Sequence, residues 1–154
     1  MEALADCPFS IAEEYATEYL RRAEAGGPES TIRVPWPLPF PSPRLRVAIS
    51  FGLQIDVRED GRRHEEVRFW WKSGSRFLPD FRGTMRFRIE HLSTRVLVEG
   101  DYKVPFGMLG RWFDNAFGRR IARASLQELT DRVALHLEKR ERTWRAEHTN
   151  PGPT

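Results

Sequence analysis

Side chains that usually carry out chemistry are few in this sequence and lie far apart. The sequence has four histidines, which are His64, His91, His136 and His148. No two of them have the spacing that would place two metal ligands on one face of a helix. Cys7 is the single cysteine, so no disulfide can form within the chain and a zinc site is disfavoured. The sequence contains neither a glycine-rich phosphate loop nor a Gly-x-Ser-x-Gly elbow. We therefore predict no metal, no cofactor and no catalytic residue from the motifs.

A pair of carboxylates is the remaining arrangement that could transfer protons. Glu99 and Asp101 are two residues apart in a strand-like segment, which places both on one face together with Lys103. Opposite charges on one strand face are typical of a solvated charge ladder. The pattern favours this ladder over paired acid–base catalysis.

Aromatic side chains are the most informative chemical feature. Phenylalanine, tryptophan and tyrosine make up 12% of the 154 residues, and many fall on inward positions of predicted strands. Such rings line small-molecule pockets and also fill ordinary cores, and periodicity alone favours the core. Tyr102 is the best inward candidate for a polar group that orients a ligand or acts in catalysis. The candidate ligand-binding residues are Phe51, Phe69, Trp71, Phe87, Tyr102, Trp112 and Phe113.

Antiparallel strands must position these rings. Residues 45–57 place an apolar side chain at every second position, which is the pattern of a half-buried strand. Asp60 and Gly61 predict a hairpin turn, and the alternation returns in residues 67–72, 84–90 and 96–104. Short connections between consecutive strands predict an antiparallel meander with one wet face and one covered face.

Two helices flank the predicted sheet. Ser10 and Glu13 form a predicted capping box in an amphipathic helix within residues 8–27. The second helix is apolar around most of its circumference in residues 112–122 and then narrows to one apolar stripe. This pattern predicts an enclosed first half and a second half that covers the sheet through Leu126, Leu129, Val133 and Leu137.

Residues 35–43 carry a proline at every second position. Proline lacks the N–H that a ladder strand donates, so these residues predict an extended, polyproline-like segment. Trp36, Leu38 and Phe40 alternate with the prolines. The segment is interpreted as a rigid connector whose aromatic side chains fill the core, or as a stiff lid or docking strip over a cavity mouth.

Length and charge set the outer limits of the interpretation. We expect one domain over residues 1–147 and a disordered tail over 148–154. The first residues do not resemble a signal peptide, and no apolar run approaches the roughly 18 residues of a membrane span, which favours a soluble, cytoplasmic protein. The net charge of +3 describes a mixed surface and does not favour specific nucleic-acid binding. The second helix has a basic face that contains Arg111, Arg119 and Arg123. We interpret this face as solvated, and the alternative is weak contact with an anionic membrane surface.

One local stretch carries a family resemblance. The residues from Glu99 to Arg111 read Glu-Gly-Asp-Tyr-Lys-Val-Pro-Phe-Gly-Met-Leu-Gly-Arg. This stretch resembles the final strand, the Tyr-x-x-Pro-x-Gly turn and the start of the last helix in the SRPBCC superfamily, also called START-like or helix-grip. Members of this superfamily usually begin with a strand before the first helix, and here only residues 1–9 could supply it.

The resemblance implies both a fold and a class of ligand. It implies an α+β helix-grip fold, in which a curved antiparallel sheet wraps around a long C-terminal helix and a short helix lies near the N-terminus. It also implies a cavity between sheet and helix for a lipid, polyketide, sterol or quinone. Carriers and polyketide aromatases or cyclases share this fold, so we expect a binding or carrier protein, with a cyclase-type enzyme as the alternative.

Overall fold

The computed structural model describes residues 1–34, 45–54, 66–73, 80–103 and 115–149, with the backbone alone at 34, 45–47, 115–119 and 149. The proline segment 35–43 and the hairpin turn at Asp60 and Gly61 lie outside the described residues. So do the predicted ligand-binding residues Trp112 and Phe113.

Six strands form one curled antiparallel sheet in the order β1-β6-β5-β4-β3-β2. The elements along the chain are β1 (Glu2–Ala5), α1 (Phe9–Glu24), a 3-10 helix (Pro28–Ser30), β2 (Thr31–Val34), β3 (Leu45–Gln54), β4 (Glu66–Ser73), β5 (Asp80–Glu90), β6 (Ser93–Lys103) and α2 (Asn115–Thr149). This arrangement is a helix-grip-like α+β fold and confirms the predicted fold class. β1 supplies the strand that the resemblance required before the first helix.

Side chains alternate between the two faces of each strand as the sequence predicts. On β4, Val67, Phe69 and Trp71 are fully buried while Arg68 and Lys72 are exposed. The same alternation buries Met85 and Phe87 on β5 and Val96 and Val98 on β6. The sequence predicts that Ile89 also faces inward, but its side chain is 68% exposed because it lies at the end of β5, beside the turn at His91.

Three hydrogen bonds along α2 show how the helix lies on the sheet. Near its start, the hydroxyl of Tyr102 on β6 donates to the carbonyl oxygen of Ala122 at 2.5 Å. Further on, the Gln127 side chain donates to the Glu2 carbonyl oxygen at 3.2 Å, and the Asp6 amide donates to Glu138 at 3.3 Å. The helix therefore runs antiparallel to β6, and its predicted apolar stripe of Leu126, Leu129, Val133 and Leu137 is buried.

The ends of both helices differ from the sequence prediction. α1 begins at Phe9 with Pro8 as its N-cap, and no side chain caps it, so the predicted capping box of Ser10 and Glu13 is wrong. Pro8 accepts the first helical hydrogen bond through its carbonyl oxygen, from the Ile11 amide at 3.2 Å. At the other end of the chain, α2 continues to Thr149 and so includes two residues of the segment that the sequence predicts to be a tail.

Candidate ligand-binding site at the end of the sheet

A cluster of aromatic rings occupies one half of the interior. Trp71 stacks on Phe81 with ring centroids 4.4 Å apart, and Phe81 lies 4.9 Å from Tyr102. Phe69 contacts Phe81 at 5.3 Å, and Phe51 meets Trp71 edge-on at 6.1 Å. These five residues come from β3, β4, β5 and β6, so the meander gathers into one cluster rings that are far apart in the sequence. We refer to them as the aromatic cluster.

Two glycines make room for the central ring of this cluster. Gly83 on β5 and Gly100 on β6 are directly opposite each other in the sheet. A Cβ atom on Gly100 would lie 2.6 Å from Cζ of Phe81, and a Cβ atom on Gly83 would also overlap that ring. The Phe81 ring therefore lies over the glycine pair, at a place where any other residue would push it away.

Tyr102 connects the aromatic cluster to α2. The helix places the small buried residues Ala122 and Ser125 here, next to the larger buried side chain of Ile121. Burial raises the pKa of the Tyr102 phenol, although a hydrogen bond with Ser125 opposes the effect. The phenol is therefore neutral near pH 7, and its proton is directed at the Ala122 carbonyl oxygen.

A cavity of about 440 Å³ borders this cluster at the ends of β4, β5 and β6. Its inner-face lining consists of Trp71, Phe81 and Tyr102. The rest of the lining consists of Trp70 and five charged residues, which are Lys72, Asp80, Arg82, Asp101 and Lys103. Apolar rings with a ring of charges around them are the usual lining of a site for a mostly apolar molecule with a polar end.

The structure brings together four of the seven predicted ligand-binding residues, namely Phe51, Phe69, Trp71 and Tyr102. Phe87 is also buried, but it lies six residues beyond Phe81 along β5 and pairs with Val96, away from the aromatic cluster. Sequence reasoning missed Phe81 as a member of the site. The available signal was its place on β5, an even number of residues from Met85 and Phe87 and therefore on the same inner face.

The three residues of the predicted charge ladder, Glu99, Asp101 and Lys103, are exposed on the outer face of the sheet, and Glu99 pairs with Arg86 of the neighbouring strand. Arg86 lies 3.1 Å from a Glu66 oxygen and 3.3 Å from a Glu99 oxygen, and all three side chains are partly exposed to solvent. Within the described ranges, no group of three His, Cys, Asp or Glu side chains could hold a metal ion. Of the predicted basic face, the Arg123 side chain is exposed, while the side chains of Arg111 and Arg119 lie outside the described residues.

Comparisons with known proteins support the fold and give no information on the function. No protein-family model matches the chain, and no curated protein matches it. The chain is similar to a crystal structure of TTHA0849 from Thermus thermophilus, with a TM-score of 0.50 and 16% sequence identity over 94% of this chain and 96% of that one. At this identity the likeness supports the fold alone. In the part of the chain that the structure describes, no helix is both long and apolar enough to cross a membrane.

Proposed function

We propose that this protein binds a hydrophobic small molecule of the lipid, polyketide, sterol or quinone type, as a carrier or binding protein. The ligand would enter beside Trp71, Phe81 and Tyr102, through the cavity at the ends of β4, β5 and β6. The observation that carries the proposal is this cavity of about 440 Å³, because it combines buried rings with a charged rim. An apolar body would contact the rings while a polar end stayed among the charges.

The pKa and the hydrogen bond of the Tyr102 hydroxyl favour a binding protein over a cyclase. A general acid or base needs a pKa near the working pH and a proton that can reach the substrate. Burial raises the pKa of Tyr102 above its ordinary value, and its hydroxyl already donates to the Ala122 carbonyl oxygen. Tyr102 is therefore suited to hold sheet and helix together, and it is poorly suited to proton transfer.

Quenching by spin-labelled ligands tests the proposed site directly. A panel of fatty acid, sterol, quinone and aromatic polyketide analogues, each carrying a nitroxide quencher, is titrated while tryptophan emission is followed. We expect saturable quenching by at least one class. The Trp71→Phe variant should lose a large part of this quenching, because the ligand would lie next to that indole.

Trp144→Phe is the matched control, because Trp144 is half exposed in the part of α2 far from Tyr102. It should remove emission without reducing the fraction that is quenched. Equal loss in both variants would mean that the ligand lies elsewhere. A folded protein that no member of the panel quenches would overturn the proposal.

A further inference from the structure

A second depression lies on a different face of α2 from the one that covers the sheet. It has a volume of about 260 Å³ and is formed by α1, the 3-10 helix and α2. The residues that α2 contributes have the i, i+3, i+4, i+7 spacing of one helix face, and they are Arg132, Leu135, His136 and Lys139. We refer to this depression as the interhelical site.

Two polar atoms of the interhelical site are buried and form no well-aligned hydrogen bond with a described residue, although the Arg132 guanidinium lies close enough to interact with one of them, the Tyr19 hydroxyl. They are the hydroxyl oxygen of Tyr19 on α1 and Nε2 of His136 on α2. Tyr19 is 5% exposed, and its ring meets the His136 ring edge-on with centroids 5.4 Å apart. Buried polar groups are nearly always hydrogen-bonded in native proteins, so two such atoms at one depression indicate that something else supplies their partner.

Among the described residues that line the interhelical site, Lys139 is the cation that forms no ion pair. The Arg132 guanidinium is held by Glu128 at 2.7 Å and by the Thr31 carbonyl oxygen. Glu18, which lies 3.9 Å from Nε2 of His136, is held by Arg22 at 2.5 Å and by Arg140 at 3.0 Å. Lys139 forms no ion pair with any residue that the structure describes.

Lys139 supplies the positive charge that a negatively charged ligand would need. The Arg132 charge is already offset by Glu128, so Lys139 is the cation of the lining that has no ion pair among the described residues, and Glu29 is the carboxylate of the lining. Burial lowers the pKa of His136, against the effect of Glu18, so the imidazole is neutral near pH 7. Burial raises the pKa of Tyr19, although Arg132 opposes it, so the phenol keeps its proton. Both groups can therefore donate a hydrogen bond without carrying charge.

An apolar surface adjoins these donors. Leu135 is 60% exposed, and Pro28 also lines the depression. Covering Leu135 would remove apolar area from water and would stabilise a bound molecule with an apolar body.

We propose that the interhelical site binds a small monocarboxylate with an apolar body. The Tyr19 hydroxyl and the Nε2–H tautomer of His136 donate hydrogen bonds to the carboxylate, and Lys139 balances its charge. Leu135 and Pro28 contact the apolar part. The site is separate from the cavity beside the aromatic cluster and does not depend on the function proposed for it.

Benzoate is a suitable probe, with benzyl alcohol as its uncharged counterpart. The imidazole ¹⁵N signals of His136, assigned with a His136→Gln variant, are followed during titration of each compound into the full-length protein. We expect saturable shifts with benzoate and far weaker ones with benzyl alcohol. Tyr19→Phe should raise the Kd for benzoate about tenfold, the equivalent of one hydrogen bond to a charged acceptor.

Two matched controls separate this site from general effects. Tyr15→Phe changes the tyrosine one turn earlier in α1, outside the lining, and should leave the Kd unchanged. Lys139→Gln should weaken benzoate several-fold, whereas Lys103→Gln, at the end of the sheet, should not. Lys139 is exposed, so its variant remains informative if Tyr19→Phe fails to fold. The proposal is overturned if His136 shows no saturable shift, if both tyrosine variants behave alike, or if benzyl alcohol binds as tightly as benzoate.

Discussion

The two halves of the interior differ in the side chains that the sheet supplies. In the half near Tyr102 the sheet supplies large rings, and the helix adds Ala122 and Ser125 beside the larger buried residue Ile121. In the half near Thr94 the helix supplies large aliphatic side chains, and the sheet residues below are mostly aliphatic too. We call the first the aromatic half, which contains the aromatic cluster. The second, the aliphatic half, contains Met85, Phe87, Val96, Val98, Leu129, Val133 and Leu137.

This difference is consistent with separate roles for the two halves under the proposed ligand-binding function. In the aliphatic half the buried polar side chains include Thr94, whose hydroxyl donates to the Cys7 carbonyl oxygen at 2.7 Å, and Thr130, whose hydroxyl donates to the Leu126 carbonyl oxygen at 2.7 Å. The aromatic half contains a phenol, a serine and a glycine pair, and it borders the cavity at the ends of the strands. We infer that the aliphatic half mainly holds the fold together and that the aromatic half determines which ligand fits.

Removing one ring from each half is the strongest test of this division. Phe81 and Phe87 are equally buried at 2% exposure, and each change to alanine should lower the free energy of unfolding by about 3–5 kcal/mol. Only Phe81→Ala should shift ligand preference, measured as the ratio of the Kd for a sterol to the Kd for a fatty acid. A shift of the same size in Phe87→Ala would show that the two halves form one pocket.

A leucine of the helix tests the aliphatic half alone. Leu137 is completely buried, and Leu137→Ala should cost about 2–5 kcal/mol in urea unfolding because it leaves a cavity under the helix. Leu135→Ala is the control, since Leu135 lies two residues away on the exposed side, and it should change stability by about 0.5 kcal/mol or less. Ligand affinity should be unchanged in folded Leu137→Ala protein. If both variants unfold at the same urea concentration, α2 does not cover the sheet as described.

The glycine pair tests the packing of the aromatic half. A Cβ atom at position 100 would lie 2.5 Å from the Gly83 Cα atom and 2.6 Å from the Phe81 ring. Gly100→Ala should therefore cost about 1–3 kcal/mol through overpacking. Asp101→Ala, at the next and exposed position, should stay near the wild-type value. A neutral Gly100→Ala would show that the Phe81 ring can leave the glycine pair without loss.

Local periodicity accounts for the part of the structure that the sequence predicts well. Side chains alternate along a strand and recur every three to four residues along a helix, so neighbouring residues suffice to predict that Phe69 and Trp71 face inward and that Leu129 and Val133 face the sheet.

Features that depend on distant partners escape the same reasoning. Phe81 is central only because β5 and β6 pair in the register that sets Gly83 opposite Gly100, and a register is set by whole strands. The pairing of Tyr19 with His136 depends on how α1 packs against α2, which no short segment encodes. The start of α1 was missed for a local reason, because Pro8 suits the first helical turn and competes with the Ser10 capping signal.

The smallest predicted effect concerns the one phenol that the described residues place between the layers of the aromatic half. Tyr102→Phe removes the hydrogen bond to the Ala122 carbonyl oxygen, which should cost about 0.5–1.5 kcal/mol near pH 7. The low end is expected, because the Ser125 hydroxyl lies 3.0 Å from that carbonyl oxygen and 2.9 Å from the Ile121 carbonyl oxygen, and its single proton can turn to either.

Alkaline pH gives this same variant a second, independent signature. The pKa of Tyr102 is raised in the folded protein, so above the ordinary tyrosine pKa of about 10 the unfolded chain loses the proton first and stability falls as pH rises. Tyr102→Phe should fall less steeply over that range, so the gap between the two proteins narrows above about pH 10. Tyr15→Phe is the matched control, because the pKa of Tyr15 is also raised and this variant therefore also loses a tyrosine that affects the slope. The stability of Tyr15→Phe near pH 7 then shows the effect of removing a tyrosine hydroxyl outside the aromatic half. Parallel slopes for wild type and Tyr102→Phe would mean that the phenol is open to solvent and does not hold the sheet to the helix in the aromatic half.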